Sequence, residues 1–352
     1  MNIAQQLIAQ TEQLAPLSPA EAEALMEELL SGRIDTPDIV RFLVALNRRA
    51  IQPGELGAFA KVIRRYAAPV FANGVTPPAN MVDTCGTGGD ACGTFNISTP
   101  AALVAAGAGA RVAKHGNRSV SSKCGSADVL EALGVHIDLP LQEAGRAIRD
   151  VGIGFLFAPA AHSATRHAVP ARKQIGKRTV FNFLGPLTNP AGAEMQILGV
   201  FSPDVLTLVA ETLAELGITR AFVLHGAGGL DEVSLSGETQ IAEVREQRIT
   251  YFTVSPCDFG LEPAPREALR GGTPQENAAL LRRIFQGEPG APHDVVVMNA
   301  AAALVVSGVA ENFLAGAQLA DRAVSSGAAL EKLQQLIRFT NACKQQPSSP
   351  DR

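Results

Sequence analysis

From Met81 onward the chain alternates short apolar runs with stretches of helical periodicity, and this alternation narrows the folds open to it. Residues 81–84, 111–114, 154–157, 195–201 and 220–224 read as strands. Residues 100–108, 127–133, 141–151 and 203–216 read as the helices between them. A helix between two strands returns the chain to the end of the sheet where it started, so the strands pair in parallel. Helices then cover both faces of the sheet. The expectation is an α/β domain with a mostly parallel central sheet.

The first seventy residues carry no strand pattern. Ser18, Pro19 and Glu21 form a capping box with proline at the first helical position, and Gly32 closes that helix. Thr36 and Pro37 open a second helix, with Ile39, Phe42, Leu43 and Leu46 on one face. Residues 53–66 read as a third. Residues 72–80 are rich in turn formers and mark a boundary. A small all-helical N-terminal domain over 1–72 therefore precedes the α/β domain. The chain is again mainly helical from Ala278, and 346–352 reads as a frayed tail.

Composition restricts the partners. Of 352 residues, 46% are hydrophobic and 18% charged, and the formal net charge is −4, which fits a compact enzyme and argues against a nucleic-acid surface. The longest apolar run, 295–310, is broken by Asn299 and Ser307 and falls short of the roughly 20 residues of a membrane span. The N-terminus has no basic, secretion-type segment, and five cysteines form no C-x-x-C pair. These features lead us to expect reduced thiols and a cytoplasmic location, with no membrane partner. Cys85, Cys92 and Cys124 read as small filler residues rather than zinc ligands.

Three loops rich in glycine and hydroxyls follow one another where strands hand over to helices. The first holds Gly86, Thr87, Gly88, Gly89 and Asp90. It has neither the Rossmann spacing nor the Gly-Lys-Ser/Thr of a Walker loop. The second runs over 96–99, with Thr99 as the expected N-cap and Pro100 in the first helical turn. The third runs from Lys114 to Ser122, and Ser126 is the expected cap of the helix that follows. Amides and small hydroxyls grouped this way offer several anion subsites, and Lys114 adds a positive charge. A ligand with more than one phosphate group suits them. Simple capping accounts for any one loop, but less well for all three.

Asp231 and Glu232 follow the strand at 220–224 and a glycine-rich turn. Paired acids there serve either as a Mg²⁺ site or as a solvated acidic turn. Arg172 can grip a carboxylate through two parallel hydrogen bonds, or lie on an exposed helix face. His115 and His162 have no acid beside them in sequence and read as packing or substrate-contact residues rather than general bases.

Taken together, 83–90, 96–99, 114–128, 178–190 and 229–234 resemble the anthranilate phosphoribosyltransferases, and the resemblance covers nearly the whole chain. That family joins anthranilate to 5-phosphoribosyl 1-pyrophosphate in tryptophan biosynthesis, with Mg²⁺ as cofactor. The resemblance implies phosphoribosyl pyrophosphate contacts at Gly86, Gly89, Asp90, Thr94, Asn96, Ile97, Ser98, Thr99, Lys114, His115, Gly116, Asn117, Arg118, Ser119, Val120, Ser121, Ser122 and Ser126. It implies anthranilate contacts at Gly86, Asn117, His162 and Arg172, and magnesium ligands at Ser98, Asp231 and Glu232. It also implies a homodimer through the helical domain. A segment near 169–187 would return to that domain, leaving 73–168 and 188–345 as the α/β domain. The resemblance is weakest at 160–165, where the family more often has a second polar residue before the histidine and a Pro-Ala-Met run after it. Two other activities fit the same fold: a pyrimidine nucleoside phosphorylase and a non-catalytic nucleic-acid-binding relative. The complete first loop and the Asp231–Glu232 pair weigh against the first; the second predicts eroded phosphate loops and a basic groove, and the sequence shows neither.

Overall fold

The computed structural model describes residues 3–119 and 123–345. It opens with four helices, α1 (Ile3–Glu12), α2 (Pro19–Leu30), α3 (Thr36–Leu46) and α4 (Pro53–Arg65). Ser18 caps α2: its hydroxyl accepts from the Glu21 amide at 3.3 Å, and the Glu21 carboxylate accepts from the Ser18 amide at 2.8 Å. Asp35, one residue ahead of Thr36, is the cap of α3 and accepts from the Asp38 amide at 3.0 Å. A buried pair between Arg49 and Glu55 ties the α3–α4 turn, and Glu55 also accepts from the Leu17 amide at 2.9 Å. Its carboxylate is thus paired and hydrogen-bonded, as a buried charge must be.

The α/β part then runs β1 (Met81–Asp83), α5 (Ser98–Gly107), β2 (Arg111–Gly116), α6 (Ser126–Leu133), α7 (Leu141–Asp150), β3 (Ile153–Phe157), the short α8 (Ala158–Ala161), α9 (Val169–Ile175), α10 (Phe181–Leu184), β4 (Met195–Gly199), α11 (Leu206–Glu215) and β5 (Arg220–Gly226). Two further strands, β6 (Thr239–Arg245) and β7 (Arg248–Val254), precede α12 (Pro274–Phe285), α13 (Ala291–Val306), α14 (Phe313–Ser325) and α15 (Ala328–Gln345). The sheet order is β3-β2-β1-β4-β5-β6-β7. The first five strands are parallel, with Val82 opposite Val112 on one side and Met195 on the other. The β5–β6 and β6–β7 pairs are antiparallel.

This order contains a topological switch. From β1 the chain winds outward through β2 and β3, then returns to lay β4 on the other side of β1. The crossovers at the carboxyl ends of β1 and β4 therefore diverge and leave a crevice, which is where open α/β sheets bind ligands.

One core joins α5, α13, α14 and α15 to one sheet face. A second joins α1–α4 to the opposite face of β4–β6 and to α11. Ala168, Ala171, Val180, Phe181, Leu184 and Leu187 lie in this second core, so the segment between β3 and β4 packs with the helical bundle. Α13 is apolar all round because it is enclosed all round: every residue from Val295 to Val306 is buried.

Candidate functional site

The loop after β1 faces the end of β4 across the crevice. The Thr87 amide donates to the Gly199 carbonyl at 2.9 Å. Gly86 sits where a Cβ would come within 3.1 Å of that same carbonyl and 3.3 Å of an Asp231 carboxylate oxygen, so a larger residue would crowd both. Gly88 and Gly89 take φ of +65° and +76°, a region glycine enters freely.

β2 delivers Lys114 to the same point. Its buried ammonium donates to the Thr84 carbonyl (3.2 Å), the Thr84 hydroxyl (3.1 Å) and the Ser98 hydroxyl (3.3 Å). Burial pulls its pKa below the usual lysine value, against the pull of Asp83 and Glu232. Asp83 is fully buried; it accepts from the His115 amide at 3.1 Å and from Asn189 at 2.8 Å, and burial raises its pKa to about 6.

Asp231 and Glu232 are half-buried on the turn after β5, which is closed by the Gly226–Leu230 bridge. Glu232 accepts from the Ser98 amide at 3.2 Å. Desolvation lifts its pKa to about 7, Lys114 opposes the shift and Asp90 adds to it. Asp231 is pushed well above the ordinary range by desolvation, then by Glu232 and Asp90. Asp231, Glu232 and Asp90 thus act on one another, with Lys114 beside Glu232, and carboxylate oxygens of this kind are the donors a magnesium-type cation takes.

The helix starts differ from expectation. The chain is already helical at Ile97 (φ −61°, ψ −47°), so α5 begins at Ser98 rather than after a Thr99 cap, and Pro100 is its third residue. Proline costs nothing there, because the first four helical amides have no partner inside the helix. Thr99 is buried and its hydroxyl lacks a partner among the described residues. Ser126 is likewise the first residue of α6, not its cap. Gly125 precedes it, and Asp128 does the capping: it accepts from the Gly125 amide at 2.8 Å and the Ser119 amide at 3.0 Å. The Ser126 hydroxyl donates to the Asn117 carbonyl at 3.2 Å.

Several expected residues do converge. Asn96 bonds Cys124 at 2.9 Å and Asn277 at 3.0 Å, which ties the second loop to the third. Gly116 lies so close to Ser126 that a Cβ would come within 2.4 Å of its hydroxyl. The rings of His115 and His162 meet edge to face at 5.2 Å, and both are buried. Burial lowers their pKa values to about 3 and 4, so both are neutral near pH 7. Thr94 lies at the rim, bridged to Arg270.

Others stand apart. Arg118 is committed to Glu131 and, at 3.2 Å, Asp128, and its guanidinium lies over Phe157. Arg172 lies 5.4 Å over the Phe181 ring, and no carboxylate pairs with it among the described residues. Val120, Ser121 and Ser122 fall outside the described residues.

Sequence reasoning assigned Arg178 no role beyond its place in the 178–190 segment. Its guanidinium donates to the Gly89 carbonyl and stacks 3.8 Å above Phe201. The signal was a cation followed by aromatic residues at 181 and 183, but its target lies 89 positions away.

The helical bundle, the crevice loops and the acid pair together define a two-domain glycosyl transferase. Residues 3–67 match the helical bundle domain of a glycosyl transferase family, and 78–330 match its a/b domain. An anthranilate phosphoribosyltransferase of Chloroflexus aggregans is 50% identical over 339 residues, covering 96% of this chain and 98% of that one. The crystal structure of the Thermus thermophilus enzyme of that name superposes with a TM-score of 0.89 at 43% identity, covering 95% of this chain and 99% of that one. The Saccharomyces cerevisiae enzyme, solved in complex with PRPP and Mg, gives 0.86 at 28% identity, covering 96% and 98%. This chain belongs to the anthranilate phosphoribosyltransferase family.

Proposed function

We propose that this protein transfers the phosphoribosyl group of 5-phosphoribosyl 1-pyrophosphate to the amine of anthranilate, giving N-(5-phosphoribosyl)anthranilate and pyrophosphate, a step of tryptophan biosynthesis. The observation that carries this reading is the half-buried Asp231–Glu232 pair, set against Ser98 and Lys114 at the mouth of the crevice.

Ser98, Asp231 and Glu232 would hold Mg²⁺, which when bound supplies charge neutralisation to a phosphorylated leaving group. Lys114 and the amides of the loops at 86–90, 96–99 and 116–119 would take the phosphates, with Ser126 beside them. Lys114 is already held by hydrogen bonds to Thr84 and Ser98, so it would stabilise developing negative charge with little reorganisation. The sugar C1–O bond to pyrophosphate breaks, C1 develops positive charge, and the amine lone pair forms the C1–N bond. The nitrogen then gives its proton to water. An aromatic amine is neutral at pH 7, so no strong base is required. Neutral His115 and His162 agree with that and are suited to packing and contact. Arg172, whose guanidinium has no carboxylate partner among the described residues, would orient anthranilate through its carboxylate, with Gly86, Asn117 and His162 lining the site.

The protein would act as a homodimer through the helical bundle, where Ile3, Leu14 and Val44 leave apolar surface exposed. All five cysteines are free thiols, which supports a reducing cytoplasmic setting. No helix among the described residues is long and apolar enough to cross a membrane. The test is direct: mix the protein with anthranilate, phosphoribosyl pyrophosphate and Mg²⁺, and follow the fluorescence of free anthranilate. Its steady decay is expected. A flat trace, with turnover instead on a pyrimidine nucleoside and inorganic phosphate, would remove this reading.

A further inference from the structure

We infer that Arg178 is a positioning residue that holds the first phosphate loop from the helical side of the molecule and so couples the two substrate sites. This rests on the function proposed above and adds a residue and a regulatory link to it.

The loop needs holding. Gly88, Gly89, Ala91 and Gly93 all take positive φ, between +58° and +76°. A Cβ added at Gly88 or Gly93 would meet nothing within 4 Å, so little packs around them. Glycine-rich backbone of this kind loses much entropy when it is ordered. The α/β layer grips the ends: Thr87 donates to the Gly199 carbonyl at 2.9 Å, and the Gly93 carbonyl accepts from the Gly271 amide at 2.9 Å. Arg178 takes the middle, at the Gly89 carbonyl.

Arg178 is anchored to the helical bundle. Its own carbonyl accepts from the Asn47 side chain at 2.8 Å, and Asn47 is the C-terminal cap of α3 in the bundle. Its guanidinium lies over Phe201, 3.8 Å from the ring centroid, and the Phe201 ring is 5.7 Å from that of Phe183. A planar guanidinium can stack and donate at once, which a lysine ammonium cannot reproduce. The same segment carries Arg172 on α9, and it is buried with the bundle through Ala171, Val180 and Phe181. Phosphates that order the loop therefore restrain Arg178, and with it the segment that presents Arg172. Two ligands that favour one arrangement of a shared element bind with positive coupling, and the coupling is reciprocal.

The experiment reads that coupling directly. Anthranilate binding is followed by its own fluorescence, with and without Mg²⁺ and pyrophosphate, which fills phosphate subsites but supplies no ribose to react. In the wild type, pyrophosphate should tighten anthranilate by about fivefold or more. In Arg178→Gln and in Phe201→Leu that ratio should fall to near one. The KM for phosphoribosyl pyrophosphate should rise by at least about tenfold in Arg178→Gln, as expected for loss of one charge-assisted hydrogen bond. Arg178→Lys should restore only part of the ratio. Arg178 is exposed, so the variant should keep the wild-type melting temperature, and a mere surface role would leave the ratio unchanged. A wild type without coupling, or variants that retain it, would overturn the inference while leaving wild-type turnover intact. Loss of the activity reading would instead appear as absent turnover in the wild type.

Discussion

Replacing Gly199 by alanine would put a methyl group where the Asp231 carbonyl sits. A Cβ built at Gly199 lies 1.6 Å from the Asp231 oxygen, 2.3 Å from its carbonyl carbon and 3.1 Å from its Cα. Non-bonded heavy atoms settle near 3.5 Å, so the Asp231 backbone would have to retreat by roughly 1.5–2 Å. A displacement of about 1 Å at a reacting centre costs on the order of 100-fold in rate. Overpacking of this sort also costs about 1–3 kcal/mol of stability. We expect Gly199→Ala to fold with a lowered melting temperature, to need far more Mg²⁺ for half-maximal rate, and to lose at least about 100-fold in kcat/KM. The assay is initial rate against Mg²⁺ concentration, beside a thermal melt. Gly185→Ala is the control: its φ is −51° and a Cβ there meets nothing within 4 Å. Wild-type magnesium dependence in Gly199→Ala would refute the claim that β4 sets the position of the acid pair.

Other expectations follow from the same geometry. Arg172→Ala should raise the anthranilate KM by roughly tenfold or more, from loss of about 1.5–3 kcal/mol of charge-assisted hydrogen bonding, and leave the KM for the phosphorylated sugar near its wild-type value. An unchanged anthranilate KM would remove Arg172 from the site. Asp231→Asn combined with Glu232→Gln should abolish most turnover yet raise metal-free stability above pH 7, because it removes two carboxylates that burial and mutual repulsion disfavour when charged. Full activity in that double variant would place the metal elsewhere. His162 has its pKa lowered to about 4, so as pH falls from about 6.5 the unfolded chain takes up its proton first. Wild-type stability supported by the neutral imidazole is then lost between about pH 6.5 and 4, by up to about 3 kcal/mol. Denaturant titrations at pH 7.5 and 4.5 should show the stability gap between wild type and His162→Gln narrowing at the lower pH. A constant gap would mean the imidazole is not held neutral.

Some elements stayed hidden in the sequence for identifiable reasons. The β6–β7 hairpin turns at Glu246 and Gln247, which take φ of +49° and +66° without the glycine, asparagine or aspartate that usually announces such a turn. The start of α5 was misjudged at Thr99 because serine, threonine and proline together look like a cap. The local backbone is already helical two residues earlier, at Ile97. Arg118 read as a phosphate ligand beside Lys114, yet α6 presents Glu131 and Asp128 to it, and ion pairing takes the guanidinium. Neither acid is near it in sequence, so spacing could not reveal the competition.

Local chemistry determined a good deal unaided. Hydrophobic period separated a helical bundle from a parallel sheet, and runs of glycine and hydroxyl residues marked the anion loops, because period and conformational freedom are properties of neighbouring residues. Strand order decided the rest. Only the return of β4 to the flank of β1 puts Gly199 beneath Asp231 and opens the crevice between Lys114 and Glu232. Only the packing of the β3–β4 segment against the bundle lets Arg178 reach Gly89. Those contacts join residues tens to more than a hundred positions apart. They depend on which surfaces are buried together, which no window along the chain contains.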